Sequence, residues 1–175
     1  MKERCKDQSG FTLIEILIVV ILLGILATVI IPQVSVSSDD AKLNTLKTNL
    51  SNLRSSLELY YYQHSSRFPG EYAESDGTTA TASDAEAATA SVEQLTKYTD
   101  ANGKTSNTGS TVYPKGPYLR AGIPTNPFNN LNTVVCDFDE TDITQKTSAG
   151  DNAGWKFYPK TGILVSGDNG AHDTL

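Results

Sequence analysis

The feature that most limits this chain is an apolar run near its start. FTLIEILIVVILLGILATVII, Phe11 to Ile31, carries one charge, Glu15, and no other until Asp39. At 1.5 Å per residue such a helix reaches roughly 30 Å, the thickness of a hydrocarbon core, so residues 11–32 are read as a transmembrane helix. A lone carboxylate in hydrocarbon is costly, and a segment that served only as an anchor would be expected to lack it. On the run alone, Glu15 reads either as a polar residue near the helix end that reaches back to the headgroups or as one member of a pair.

The order of elements around the run is informative. Secretory signals place the apolar stretch before a small-residue cleavage site. Here the small pair Ser9-Gly10 comes first, so cleavage would leave the apolar segment as the new N-terminus of the mature chain. Lys2, Arg4 and Lys6 slightly outnumber Glu3 and Asp7, which favours a cytoplasmic N-terminus. Cys5 and Cys136 are the only cysteines, and loss of residues 1–10 would leave Cys136 without an intramolecular partner. A net charge of -6, with no Lys/Arg cluster after residue 6, argues against a nucleic-acid partner.

Pro32 interrupts the helical pattern and predicts a kink or local unwinding. Beyond it Leu43, Leu46, Leu50, Leu53, Leu57 and Tyr60 recur at helical spacing, an amphipathic continuation over 33–66. From Leu50 onward this stripe should meet the chain's own sheet, and the part nearer the membrane should meet neighbouring subunits. Asp39 and Asp40 suit a helix start, Arg54 and Glu58 are spaced to pair, and Arg67-Phe68-Pro69-Gly70 closes the helix. Residues 67–132 read as loop-rich, poor in core-forming side chains between Ala73 and Thr111, with a short helix near 91–98. Residues 133–175 read as sheet and tail. TVVCDF and the two runs of WKFYPKTGILVS, joined at Pro159-Lys160-Thr161-Gly162, predict a three-stranded antiparallel sheet. The fold class is thus α+β: a long N-terminal helix packed on a small C-terminal sheet.

Few chemical constellations stand out. His64 and His172 have no partner at metal-ligand spacing and read as surface residues; Cys136 reads as a small core residue. No nucleophile elbow or Gly-rich phosphate loop occurs.

GFTLIE, Gly10 to Glu15, followed by a continuous apolar helix, resembles the type IV pilin superfamily, and specifically the major pseudopilins of bacterial type II secretion systems. GPYLRAGIPTNPFN and GWKFYPKTG are more loosely similar to the C-terminal region of those proteins. The resemblance implies a pilin-like fold and a leader, residues 1–10, cut between Gly10 and Phe11 by a prepilin peptidase. It implies N-methylation of Phe11, and pairing of Glu15 with the Phe11 amine of a neighbouring subunit in a helical filament. It also implies minor pseudopilins, a platform protein and an assembly ATPase as partners, with a single-pass inner-membrane location and a periplasmic C-terminal domain. No cysteine pair forms the C-terminal disulfide loop of many type IV pilins, which favours a pseudopilin over a pilus subunit for adhesion, motility or DNA uptake. A membrane-anchored enzyme or binding domain is the more distant alternative, because no catalytic set is present. Calcium is the one ligand the resemblance implies, with Asp168 and Asp173 in the tail, or Asp137, Asp139, Glu140 and Asp142 in DFDETD, as its candidates. Neither group follows the spacing of a twelve-residue calcium loop.

Overall fold

The computed structural model describes residues 10–144, 147–148, 150 and 152–175, with side chains omitted over 28–37. The chain divides into two units, Met1–Ala41 and Lys42–Leu175. Helix α1, Leu13–Gln63, contributes to both. In the first unit the described apolar side chains are exposed on every face of the helix, from Leu13 at 85% to Leu26 at 56%. Among the described residues no helix is long and apolar enough to cross a membrane. The apolar run of the sequence continues past Ala27 into 28–31, where side chains are not described. The kink expected at Pro32 likewise lies outside the described residues.

In the second unit the leucine stripe becomes core. Leu46, Leu50, Leu53, Leu57 and Tyr60 are buried against Trp155, Phe157, Leu164, Leu95 and Cys136. Each large apolar side chain so buried stabilises the fold by about 1.5–3 kcal/mol. Leu46, expected to face a neighbouring subunit, is fully buried within its own unit. The segment around Thr125 lies beside α1 there, its carbonyl accepting from Asn49 Nδ2 at 3.2 Å, and Leu119, Ile123 and Phe128 pack on the core. Arg54 does not pair with Glu58. Its guanidinium donates to the Leu164 carbonyl (3.3 and 2.8 Å) and to the Leu175 carbonyl (2.6 Å).

Helix α2 is Asp84–Thr96, beginning well before the expected 91. Ser83 caps it, accepting from Glu86 N at 3.3 Å, while Glu86 Oε2 accepts from Ala82 N at 2.9 Å. AEAATA, residues 85–90, is rich in strong helix formers, and its small Ala87 and Ala90 are buried in the interior. The surrounding loops are tied to this helix by Gln94, which accepts from Gly70 N (2.9 Å) and donates to the Tyr72 and Gly103 carbonyls (both 3.0 Å). Gly70 has φ +89°, and a Cβ there would collide with Ser91 and the Ala87 carbonyl.

Strands β1 (Tyr98–Thr99) and β2 (Thr105–Ser106) form a small antiparallel pair. β3 (Val134–Cys136), β4 (Trp155–Tyr158) and β5 (Ile163–Ser166) form the main sheet in that order. The hairpin at 159–162 joins antiparallel β4 and β5 as expected, with Gly162 at φ +72° turning over the ring of Phe68. The sheet is mixed, however, because β3 runs parallel to β4, pairing Val134 with Trp155 and Cys136 with Phe157. Parallel neighbours need a crossover of a dozen or more residues, and the connection over 137–154 is long enough to return to the same end of the sheet.

Candidate functional site

The N-terminal site is organised by the first turn of α1. Thr12 and Glu15 form a reciprocal capping box: Thr12 N donates to Glu15 Oε2 at 2.7 Å, and Glu15 N donates to Thr12 Oγ1 at 3.3 Å. The Thr12 hydroxyl also donates to the same carboxylate oxygen at 2.8 Å. Both donations converge on Oε2, which fixes the carboxylate beside the start of the helix. Its charge sits at the positive end of the helix dipole. Gly10 and Phe11 lie just before this turn and are exposed, Phe11 at 85%. Thus both residues of the expected cleavage position are exposed, and Glu15 lies four residues beyond Phe11 along the chain. The T-x-x-E spacing of Thr12 and Glu15 carries this signal in the sequence, and it gives the carboxylate a partner within its own chain as well as the one on a neighbouring chain that the resemblance implies.

The helix that follows has no polar face among Leu13–Leu26 apart from Glu15. An all-apolar, fully exposed helix finds a stable environment only in lipid or among other apolar helices.

The C-terminal candidates are arranged differently from expectation. Asp168 is 1% exposed and fully engaged. Its Oδ1 accepts from the Ser166 hydroxyl and from Asn126 Nδ2 (3.5 Å), and its Oδ2 accepts from Asn169 Nδ2 (3.2 Å) and faces His172 Nδ1 at 2.6 Å. Burial pushes the Asp168 pKa upward, but the Ser166 and His172 hydrogen bonds outweigh it and hold the carboxyl below its ordinary range. His172 is therefore no free surface residue: it pairs with Asp168 and lies against Phe128, ring centroids 4.4 Å apart. In DFDETD, Asp137 pairs with Lys156 (3.5 Å) and Asp139 with Lys160 (3.4 Å). Glu140 accepts from Asp142 N, and Asp142 from Thr144. These groups do not converge. Among the described residues, no cluster of three or more His, Cys, Asp or Glu is placed to hold a metal ion.

His64 is also buried, at 1% exposure. Its ring stacks on Tyr60 at 3.8 Å, with Nδ1 2.9 Å from the Tyr60 carbonyl and Nε2 3.0 Å from Thr99 Oγ1. A carbonyl only accepts, so Nδ1 carries the proton and Nε2 accepts from the threonine. Sequence spacing could not reveal a partner that lies on β1. Cys136 is buried as expected, its pKa pushed up to about 12 by burial.

Comparison with known proteins finds its matches at the N-terminus. Residues 5–31 match the family described as the prokaryotic N-terminal methylation motif. The chain is similar to the type II secretion system core protein G of Pseudomonas aeruginosa, 46% identical over 55 residues, covering 31% of this chain and 39% of that protein. The proteins of the same description from Klebsiella michiganensis (35% over 66 residues, 38% and 46% covered) and Vibrio cholerae serotype O1 (32% over 63 residues, 36% and 43% covered) are also similar. The chain spans less than half the length of these relatives. No solved structure matches. The resemblance drawn on GFTLIE is borne out by the motif and by these relatives.

Proposed function

We propose that the chain is a structural, non-catalytic subunit of a pseudopilus filament acting in type II protein secretion. The observation that carries this reading is the Thr12–Glu15 box at the head of a helix whose exposed stretch Leu13–Leu26 is apolar apart from Glu15, within a segment that matches a methylation motif. After cleavage between Gly10 and Phe11 and methylation of Phe11, the segment 11–32 anchors the subunit in the inner membrane with its C-terminal domain in the periplasm. Polymerisation replaces lipid contacts by helix contacts, and Glu15, already oriented by Thr12, meets the Phe11 amine of a neighbouring subunit. The sequence has no phosphate-binding loop, so the energy for extraction from the membrane comes from a separate ATPase working through a platform protein. Minor pseudopilins and the prepilin peptidase complete the set of partners.

Intact mass and N-terminal sequencing of protein extracted from membranes of cells with active prepilin peptidase test the reading. A chain beginning at N-methylated Phe11 is expected; one still beginning at Met1 removes it. Deletion of the gene is expected to abolish secretion of exoproteins while leaving surface pili intact.

A further inference from the structure

The resemblance implies calcium in an acidic C-terminal loop, and the residues of this chain do not fit one. A calcium ion takes six to eight oxygen ligands, several of them carboxylate. Asp168 would be the central ligand, yet both its oxygens already face protein donors: the Ser166 hydroxyl and Asn126 amide on one, the Asn169 amide and His172 imidazole on the other. The arrangement is built from the interior. Asn126, itself fully buried, also donates to the Gly154 carbonyl (3.0 Å) and Ser166 Oγ (2.9 Å), and its Oδ1 accepts from Phe128 N (2.9 Å). His172 is held over Asp168 by the short 3-10 turn Gly170–His172, which Asn169 caps through Ala171 N (2.9 Å). An imidazole nitrogen thus already faces Oδ2 of the carboxylate at 2.6 Å. Asp173 Oδ1 is buried without a hydrogen-bond partner among the described residues, but one free carboxylate oxygen leaves most of a calcium shell unfilled.

We propose that the Asp168–His172 pair closes the C-terminal segment of this chain in place of a bound divalent cation. Asn126, Ser166 and Asn169 supply the remaining donors, so the carboxylate is satisfied by protein alone. Calcium then has no differential affinity for the closed state and cannot shift its population. The pair belongs to the C-terminal unit, and its role does not depend on what the N-terminal helix assembles into.

The test follows unfolding of the full chain in detergent through the fluorescence of Trp155, in about 1 mM calcium and in excess EGTA. Wild-type Tm is expected to agree in the two buffers, and elemental analysis to find no stoichiometric calcium. His172→Ala is expected to lower Tm by roughly 5 °C in both buffers. A wild-type Tm raised by more than about 2 °C in calcium overturns the proposal, since a site with tighter affinity than the added concentration stabilises the folded state by mass action. A His172→Ala Tm equal to wild type overturns it as well. Should His172→Ala not fold, the imidazole is required, and the wild-type calcium comparison still decides between pair and metal.

Discussion

Thr12 holds Glu15 from two sides, its backbone N–H at 2.7 Å and its hydroxyl at 2.8 Å from the same carboxylate oxygen. The charge that looks misplaced in an apolar helix is therefore satisfied within one chain before any neighbour arrives. In the filament proposed above, this changes the energetics of docking. A carboxylate already oriented loses little freedom on pairing with an incoming amine, whereas a free one would have to be ordered first.

Glu15→Ala is expected to leave cleavage at Gly10 and Phe11 largely intact and to reduce recovered filament roughly tenfold or more, because the proposed pair would be broken at each subunit. Thr12→Val, which keeps the shape and deletes the hydroxyl, is expected to give an intermediate loss with cleavage again intact. Sheared-filament yield set against the ratio of processed to unprocessed chain measures both. Wild-type filament from Glu15→Ala would remove the role assigned to the carboxylate.

Arg54 joins three parts of the C-terminal unit, running from α1 to the carbonyls of Leu164 on β5 and Leu175 in the tail. Hydrogen bonds from a charged donor contribute about 1.5–3 kcal/mol each, less here because Arg54 is partly exposed. Arg54→Met should lower Tm by about 5 °C, and Arg54→Lys should recover only part of it, since an ammonium lacks the forked geometry that spans two carbonyls. Thermal unfolding of the two variants beside wild type provides the comparison.

Much of this was legible in the residues. The leucine stripe through Leu57 and Tyr60, the hairpin at Pro159–Gly162 and the buried Cys136 follow from periodicity and turn chemistry, which are local. The direction of β3 was not legible, because strand composition is the same for either direction and the course of 137–154 decides it. His64 and Thr99 meet through the fold alone, so the spacing of His64 gave no sign of burial. Asp168 and His172, four apart, did carry a signal, but the tail around them has no apolar periodicity to suggest the 3-10 turn that brings them together. The helix at Asp84 was hidden by its alanines, which look like filler in a loop and serve as close-packing residues in a helix.

Cys136 lies on β3 with its sulfur 3.7 Å from the Ser91 hydroxyl, and burial raises its pKa to about 12. At pH 8 the buried thiol is therefore held in its un-ionised form, and the thiolate is the reactive one. Alkylation of the native, processed protein is expected to leave the chain unmodified over a time that gives complete labelling in denaturant. Mass spectrometry of both samples reads the difference directly, and fast labelling of the native form would place Cys136 outside the core.

The buried His64 predicts a pH dependence of stability with a definite sign. Burial holds its pKa below the ordinary value; the Lys115 ammonium acts in the same direction, and the Tyr60 carbonyl and Asp100 oppose it. The folded state thus prefers the neutral ring, the form that donates from Nδ1 to Tyr60 and accepts from Thr99 at Nε2. Stability from this group is complete above the unfolded value of about 6.5 and falls as pH drops from there toward the depressed folded value, because only the unfolded chain binds the proton readily. Asp168, whose carboxyl is held low, adds a separate loss that begins below about 4. Tm measured between pH 7.5 and 5 should therefore decline in wild type. His64→Phe, which keeps a ring against Tyr60 and removes the titrating nitrogens, should start about 1–3 kcal/mol less stable and lose that part of the slope. An unchanged slope in His64→Phe would assign the acid sensitivity to other groups, and the decline below pH 4 should persist in both proteins.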